Sequence, residues 1–181
     1  MFEFPSSAAT NEIATFAGGC FWSMQHDFDK VPGVIKTTVG YTGGHLANPT
    51  YEKVSGGDTG HYESIEVIYD PSKISYQQLL NFYWHDIDPS DPSGQFCDHG
   101  NEYHTMIFYH NTEQQKLALE SKTKLNESHR FNQIATLIEP AQTFYPAEEY
   151  HQKYSEKNSE AYYNYRLGCG RDERIKEIWG Q

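Results

Sequence analysis

Apolar and polar positions alternate along this chain in two periods, near 2 where the backbone is extended and near 3.6 where it is helical. Residues 12–16 (EIATF) and 34–41 (VIKTTVGY) read as strands, the second following a Val31-Pro32-Gly33 turn. Between them, Phe21, Trp22, Met24 and Phe28 form an apolar pattern that reads as a helix. Residues 62–69 form a further strand ended by Asp70-Pro71, and Ser75 suits the N-cap of a helix through 77–84. Residues 103–109 read as a strand, 112–128 as a polar surface helix and 134–138 as a short strand. Tyr145-Pro146 introduces a helix over 147–158, since proline fits a first helical turn. Residues 162–170 read as an irregular aromatic stretch, and 171–179 as a last short helix. The leading elements run β-α-β-β-α-β, the split βαβ order of ferredoxin-like domains. The expected fold is α+β: a two-layer sandwich of helices on a mostly antiparallel sheet, with additional helices and a long irregular C-terminal segment.

Composition narrows the class. A length of 181 residues fits a single domain, 1–181. A net charge of -11 repels phosphate backbones, so nucleic acid is not expected as a partner. Mean hydropathy is -0.76, and no apolar run approaches the roughly 18–20 residues that a membrane span needs. Met1-Phe2-Glu3-Phe4-Pro5 lacks the basic and apolar segments of an export signal. The expectation is a cytoplasmic monomer. The cysteines, at 20, 97 and 169, are odd in number, far apart and without zinc-type spacing. In reducing cytoplasm a cysteine pair is catalytic more often than structural. His99, His104 and His110 have no diagnostic metal spacing, and no metal site is expected.

The chemistry centres on Phe16-Ala17-Gly18-Gly19-Cys20-Phe21-Trp22. Two glycines let the chain leave a strand and begin a helix within three residues. Cys20 then stands at a helix N-terminus, where free N–H groups and the dipole lower a thiol pKa and favour a reactive thiolate. The plain alternative is a small buried thiol. Along 62–69, Glu63 shares a face with Ile65, Val67 and Tyr69, so a carboxyl opens an apolar, core-facing side. Burial there would hold its proton near neutral pH, whereas a wet strand end would leave it ionised.

Several stretches together resemble the methionine sulfoxide reductases of type A. They are Gly19-Cys20-Phe21-Trp22, Gly40-Tyr41-Thr42-Gly43-Gly44, Asn48-Pro49-Thr50-Tyr51, and Gly57-Asp58-Thr59-Gly60-His61-Tyr62-Glu63. Cys97-Asp98-His99-Gly100 with Tyr103, and Phe144-Tyr145-Pro146-Ala147-Glu148-Glu149-Tyr150-His151-Gln152, complete the match, which spans about 13–179. The chain departs from many relatives at Val54-Ser55-Gly56-Gly57, which lacks a cysteine, at Gln95-Phe96-Cys97-Asp98, and at Leu167-Gly168-Cys169-Gly170-Arg171.

The resemblance implies a thiol-dependent reductase of methionine S-sulfoxide, free or in proteins, that uses no metal or organic cofactor and is recycled by thioredoxin. The catalytic core would be about 13–158 and the recycling segment about 159–181. Cys20 would be the nucleophile and Glu63 the acid. Tyr41 and Tyr103 would donate to the sulfoxide oxygen, and Phe21 and Trp22 would seat the S-methyl group. Asp98 would orient water or the substrate amide. Attack leaves a sulfenic acid on Cys20, which a second thiol resolves. Cys169, free to move between Gly168 and Gly170, is the first choice; Cys97, beside Asp98, is the rival or an inert neighbour. His61 and His151 are expected to hold structure.

Two other readings compete. A papain-like hydrolase would pair Cys20 with His151, 131 residues on (151 − 20). An acidic interaction domain would merely bury Cys20.

Overall fold

Strand β1 (Glu12–Gly18), helix α1 (Phe21–Phe28), strand β2 (Val34–Thr42), helix α2 (Tyr51–Ser55), strand β3 (Tyr62–Tyr69) and helix α3 (Tyr76–His85) open the computed structural model, which describes residues 10–180. Residues 1–5, tested above for an export signal, lie outside the described residues, as do 6–9 and Gln181. A small hairpin of β4 (Gly94–Gln95) and β5 (Asp98–His99) follows, then a single 3₁₀ turn at Asn101–Tyr103. Next come β6 (Thr105–Tyr109), α4 (Thr112–Glu127), β7 (Leu137–Pro140) and β8 (Tyr145–Pro146). Three helices close the chain: α5 (Tyr154–Lys157), α6 (Ser159–Cys169) and α7 (Arg171–Trp179).

The main sheet has the order β7-β6-β1-β3-β2-β8. Within it, β3 lies antiparallel between β1 and β2, and β6 antiparallel beside β1. Strands β6-β1-β3-β2 are thus the split βαβ arrangement expected, while β7 adds a parallel edge. Helices α1, α3 and α4 pack on one face. There Phe16, Met24, Phe28, Ile65, Val67, Leu79, Leu80, Tyr83 and Ile107 are all within 1% of complete burial. Each such large side chain contributes about 1.5–3 kcal/mol.

Local chemistry explains the elements. In α3, Tyr76, Leu79, Leu80, Tyr83 and Trp84 are buried, the i, i+3, i+4 spacing of one helical face. A capping box closes its first turn: the Ser75 hydroxyl accepts from Gln78 N at 3.1 Å, and Ser75 N donates to Gln78 Oε1 at 2.9 Å. Tyr83 then donates to the Ala17 carbonyl at 2.7 Å, fixing the end of β1 against α3.

Three expectations change. The helix expected over 147–158 is broken into a 3₁₀ turn, Glu149–His151, and α5. The Gln152 side chain accepts from Val39 N and donates to Val39 O and Ala147 O, and Lys153 turns to φ 55°. Bonds to β2 thus displace the helical ladder. The stretch 162–170 is helical rather than irregular, so the C-terminal segment is a helix pair. Strand 134–138 is shifted to Leu137–Pro140, in register with Met106 through Tyr109.

The helix pair is held by buried charge on both sides of Cys169. Arg166 reaches Asp27 at 2.9 Å and Asp172 at 2.7 Å. Arg171, 2% exposed, donates to the Asp86 carbonyl at 2.7 Å and the Gly18 carbonyl at 3.3 Å. Its guanidinium also stands 4.7 Å over the Phe96 ring. Removing one partner of a buried charged network costs about 3–5 kcal/mol, because the other groups stay buried and unpaired. Arg171→Ala should therefore lower unfolding stability by about that amount, read as a fall in the urea midpoint. A loss of under about 1 kcal/mol, the scale of exposed pairs, would contradict the anchoring role.

Candidate active site

The site forms where β1 ends. Gly19 takes φ +85°, and a Cβ there would lie 2.6 Å from Cβ of Gln95, so only glycine lets this turn pass so close to the β4–β5 hairpin. Cys20 follows as the N-cap of α1, and its carbonyl accepts from Ser23 N at 3.1 Å and Met24 N at 3.3 Å. The start of β3 brings Glu63 to the same place, where Phe21 N donates to Glu63 Oε1 at 3.2 Å. In register beside Glu63 on β2 is Tyr41, whose ring centroid lies 5.7 Å from that of Phe21. The 3₁₀ turn ahead of β6 supplies Tyr103, near enough to act on the Glu63 carboxyl. Asp98, on β5, is near enough to act electrostatically on both Cys20 and Glu63.

Burial dominates the electrostatics. Glu63 is 2% exposed, and desolvation raises its carboxyl to about 8, against the opposing Phe21 N–H. It therefore holds its proton at neutral pH, as its place on the apolar face suggested. Cys20 is 7% exposed, and desolvation, helped by Glu63 and Asp98, pushes its thiol up to about 12. This corrects the expectation of a lowered thiol: the helix N-terminus is present, but Glu63 takes the Phe21 N–H and burial outweighs the dipole. Near Cys20 stands Tyr165 of α6, whose hydroxyl acts to lower the thiol pKa against this burial and donates to Asp98 Oδ2.

Other expected residues are placed as follows. Phe21 is 1% exposed, packed against Tyr41 and His151. Trp22 is half-buried, stacked on Tyr154 at 3.8 Å and edge-on to Tyr165 at 5.9 Å. Its indole N–H donates to His151 Nδ1 at 2.9 Å. His151 is thereby bound to Trp22, and among the described residues no imidazole is hydrogen-bonded to Cys20 as the base of a hydrolase would be. His61 likewise serves structure, accepting from Gly44 N at 3.1 Å. The Tyr41 hydroxyl donates to Glu148 Oε1 at 3.0 Å, so its proton faces that carboxylate in this form.

The cysteine pairing differs from expectation. Cys169 is joined to Cys97, with sulfurs 2.10 Å apart, and Cys20 is the free thiol. Cys97 is thus no inert neighbour, and Cys169 is not loose between glycines but ends α6. Sequence reading missed Tyr51, Tyr165 and Glu148 as site members. Tyr51 acts electrostatically with Glu63, Cys20 and Tyr103, while Glu148 accepts from Tyr41 and from Tyr51 N at 3.1 Å. Tyr51 and Glu148 lay inside quoted motifs, whereas Tyr165 carried no signal beyond its place four residues before Cys169. The grouping of possible metal ligands among the described residues is Cys97, Asp98 and Cys169, two of which the disulfide already engages.

A buried thiol beneath a protonated carboxyl, with a disulfide one residue from Asp98, defines a thiol redox enzyme. A sequence model of the family described as peptide methionine sulfoxide reductase matches residues 12–181. The chain is 53% identical to the peptide methionine sulfoxide reductase MsrA of Bacillus licheniformis, over 96% of this chain and 97% of that one. It is similar in structure to Mxr1 from Saccharomyces cerevisiae in reduced form, with TM-score 0.78, 34% identity, and coverage of 83% of this chain and 87% of that one. Mxr1 in complex with Trx2 is also similar, with TM-score 0.57, 26% identity, and coverage of 85% and 89%. The chain belongs to the peptide methionine sulfoxide reductase family, and its activity is the thiol-dependent reduction of methionine sulfoxide.

Two outcomes follow from the burial. Cys20 in the disulfide form should react slowly with iodoacetamide and faster by at least about tenfold once Cys97–Cys169 is reduced, as its thiolate fraction rises with exposure. Equal rates in both forms would show that α6 does not cover it. Glu63 has a folded pKa of about 8, above the usual ~4.3 of an unfolded chain. Its contribution is therefore full below ~4.3 and is lost as pH rises through about 8. Glu63→Gln should gain thermal stability relative to the parent between pH 6 and 9; parallel melting curves over that range would refute the raised value.

Proposed function

We propose that Cys20 attacks the sulfur of methionine S-sulfoxide while Glu63 protonates its oxygen. The observation that carries this is the pairing, at the start of α1, of a thiol and a carboxyl that burial keeps protonated. A sulfoxide sulfur is electrophilic only once its oxygen is protonated or strongly hydrogen-bonded, so a neutral Glu63 is the group required. Phe21 and Trp22 offer an apolar seat for the S-methyl group, with sulfur near an aromatic edge. Tyr103, close to Glu63, donates to the oxygen in this reading. Tyr41 can join it by turning its hydroxyl from Glu148. Overall, oxygen passes from the substrate sulfur to the Cys20 sulfur: thiol and sulfoxide become sulfenic acid and thioether. The electron pair comes from thiols, so the cycle calls for no metal or organic cofactor.

Cys169 then displaces water from the sulfenic acid and forms a disulfide with Cys20. Cys97 attacks the Cys169 sulfur next, releasing Cys20 and leaving Cys97–Cys169, the bond present in the structure. Cys97 is exposed and Cys169 half-buried, so an incoming thiol meets Cys97. Thioredoxin is that reductant in this reading, supported by the Trx2 complex of the Mxr1 relative. Residues 13–158 form the catalytic core and 159–181 the recycling segment. A cytoplasmic location fits a free thiol beside a disulfide that must be reduced in each turnover. No helix among the described residues is long and apolar enough to cross a membrane.

The order of thiols is testable by variant. Cys20→Ser should abolish methionine formation. Cys169→Ser should give one methionine per chain and then stall by about 10²-fold or more with thioredoxin, the loss typical of removing a resolving nucleophile. Cys97→Ser should still form the Cys20–Cys169 bond, visible in mass spectra. Undiminished thioredoxin-driven turnover in Cys169→Ser would remove Cys169 from the cycle.

A further inference from the structure

Tyr165 enters no step described so far, yet its hydroxyl lies beside one of the sulfurs that the cycle must join and acts electrostatically on the other. It lies one helical turn before Cys169 on the same face of α6, with its oxygen 3.8 Å from Cys169 Sγ. The same hydroxyl donates to Asp98 Oδ2 and is near enough to Cys20 for each group to perturb the other. The ring is fixed edge-on to Trp22 at 5.9 Å and 85°. Arg166, the next residue, pins this turn of helix to Asp27 at 2.9 Å. One polar atom is therefore held beside the resolving thiol and close to the nucleophile, on the element that carries the former.

We infer that Tyr165 is a catalytic residue of the resolving step, transferring the proton that turns the sulfenic oxygen of Cys20 into water. Cys169 sulfur attacks Cys20 sulfur; the S–S bond forms, the S–O bond breaks, and the electron pair leaves with oxygen. The departing hydroxide takes the Tyr165 proton, and the proton of the Cys169 thiol restores the phenol. The Cys20 sulfur is reduced and the Cys169 sulfur oxidised, with no outside donor or acceptor. Once water has left, the hydroxyl rests on Asp98, the arrangement seen here. Desolvation discourages a bare hydroxide from leaving this enclosed place, which is why a donor at the oxygen matters. Asp98 acquires a role different from orienting substrate: it is a positioning residue for Tyr165.

The inference rests on the assignment of Cys20 and Cys169 above, and the test separates the two. Fully reduced full-length chain is mixed with an equimolar amount of methionine sulfoxide, without reductant, and quenched over time with dimedone to trap sulfenic acid. Released methionine, the Cys20 adduct and the disulfides are measured by mass spectrometry. Tyr165→Phe keeps the ring against Trp22 and deletes only the hydroxyl. Its disulfide formation should slow by on the order of 10²-fold more than its methionine release, the usual weight of a general acid, and the Cys20 adduct should accumulate. An unchanged ratio of the two rates overturns the inference. Cys169→Ser is the control: an adduct there supports the thiol assignment, and methionine release without one overturns that assignment instead. Should Tyr165→Phe fail to fold, the parent chain in D₂O decides. Disulfide formation slowed more than methionine release supports proton transfer in that step, and equal slowing overturns it.

Discussion

Removal of water from the end of β1 is the constraint on which the rest depends, and it acts on two groups with opposite needs. A carboxyl that must donate at neutral pH gains from desolvation, and Glu63 is raised to about 8. A thiol that must ionise loses by it, and Cys20 is pushed to about 12. A rigid pocket would serve one group at the expense of the other. Here part of the cover over Cys20 is Tyr165 on α6, a helix whose end is fastened by a bond that the catalytic cycle itself makes and breaks. The oxidised form is therefore the one least suited to attack. Reduction removes the bond that fastens this segment, whereas the burial of Glu63 on β3 does not depend on it.

How far the segment loosens depends on what remains. Closing a loop with sequence separation 72 through Cys97–Cys169 stabilises the oxidised fold by roughly 4 kcal/mol in the chain-entropy picture. Reduction forfeits that, but Arg166 with Asp27 and Arg171 with Asp86 still tie both flanks of Cys169 to the core. Arg171 is nearly enclosed, so leaving its partners would strand buried charge. These two anchors hold the ends of the segment near the core on both sides of Cys169 when the disulfide is absent.

The strand and helix order of the first two-thirds was legible because each element announces itself locally. Alternation along 62–69, the Ser75 and Gln78 pair, and the double glycine before Cys20 all concern neighbours in sequence. Cys20, Glu63, Asp98 and Tyr103 could be singled out from motifs, and the burial of Glu63 from its face on β3. What escaped was long-range. The helix over 147–158 fails because Gln152 finds better partners at Val39, 113 positions away. Residues 162–170 look loose, with glycines on both sides of Cys169, yet Tyr162 and Arg166 dock on Ser23 and Asp27 of α1 and wind the segment into a helix. The lowered pKa expected of Cys20 rested on the dipole of its own helix; its burial and the charges of Glu63 and Asp98 reverse it. The Cys97–Cys169 pairing required knowing that α6 ends against the β4–β5 turn, which no spacing reveals.

That turn explains why a third cysteine is useful at all. A reductant the size of a protein cannot approach a sulfur that is 7% exposed beneath a helix. The oxidising equivalent has to be carried outward before a partner can collect it. Cys97 sits at the exposed tip between β4 and β5, following Phe96 at φ 57°, a backbone state that non-glycine residues adopt only when their surroundings impose it. What imposes it includes Arg171, stacked over the Phe96 ring while bonded to the Gly18 carbonyl, two residues before the nucleophile. The outlet sulfur and the attacking sulfur are therefore referenced to the same guanidinium. The separation between them is thus set by β1, the β4–β5 turn and the first residue of α7 rather than by α6, which carries Cys169.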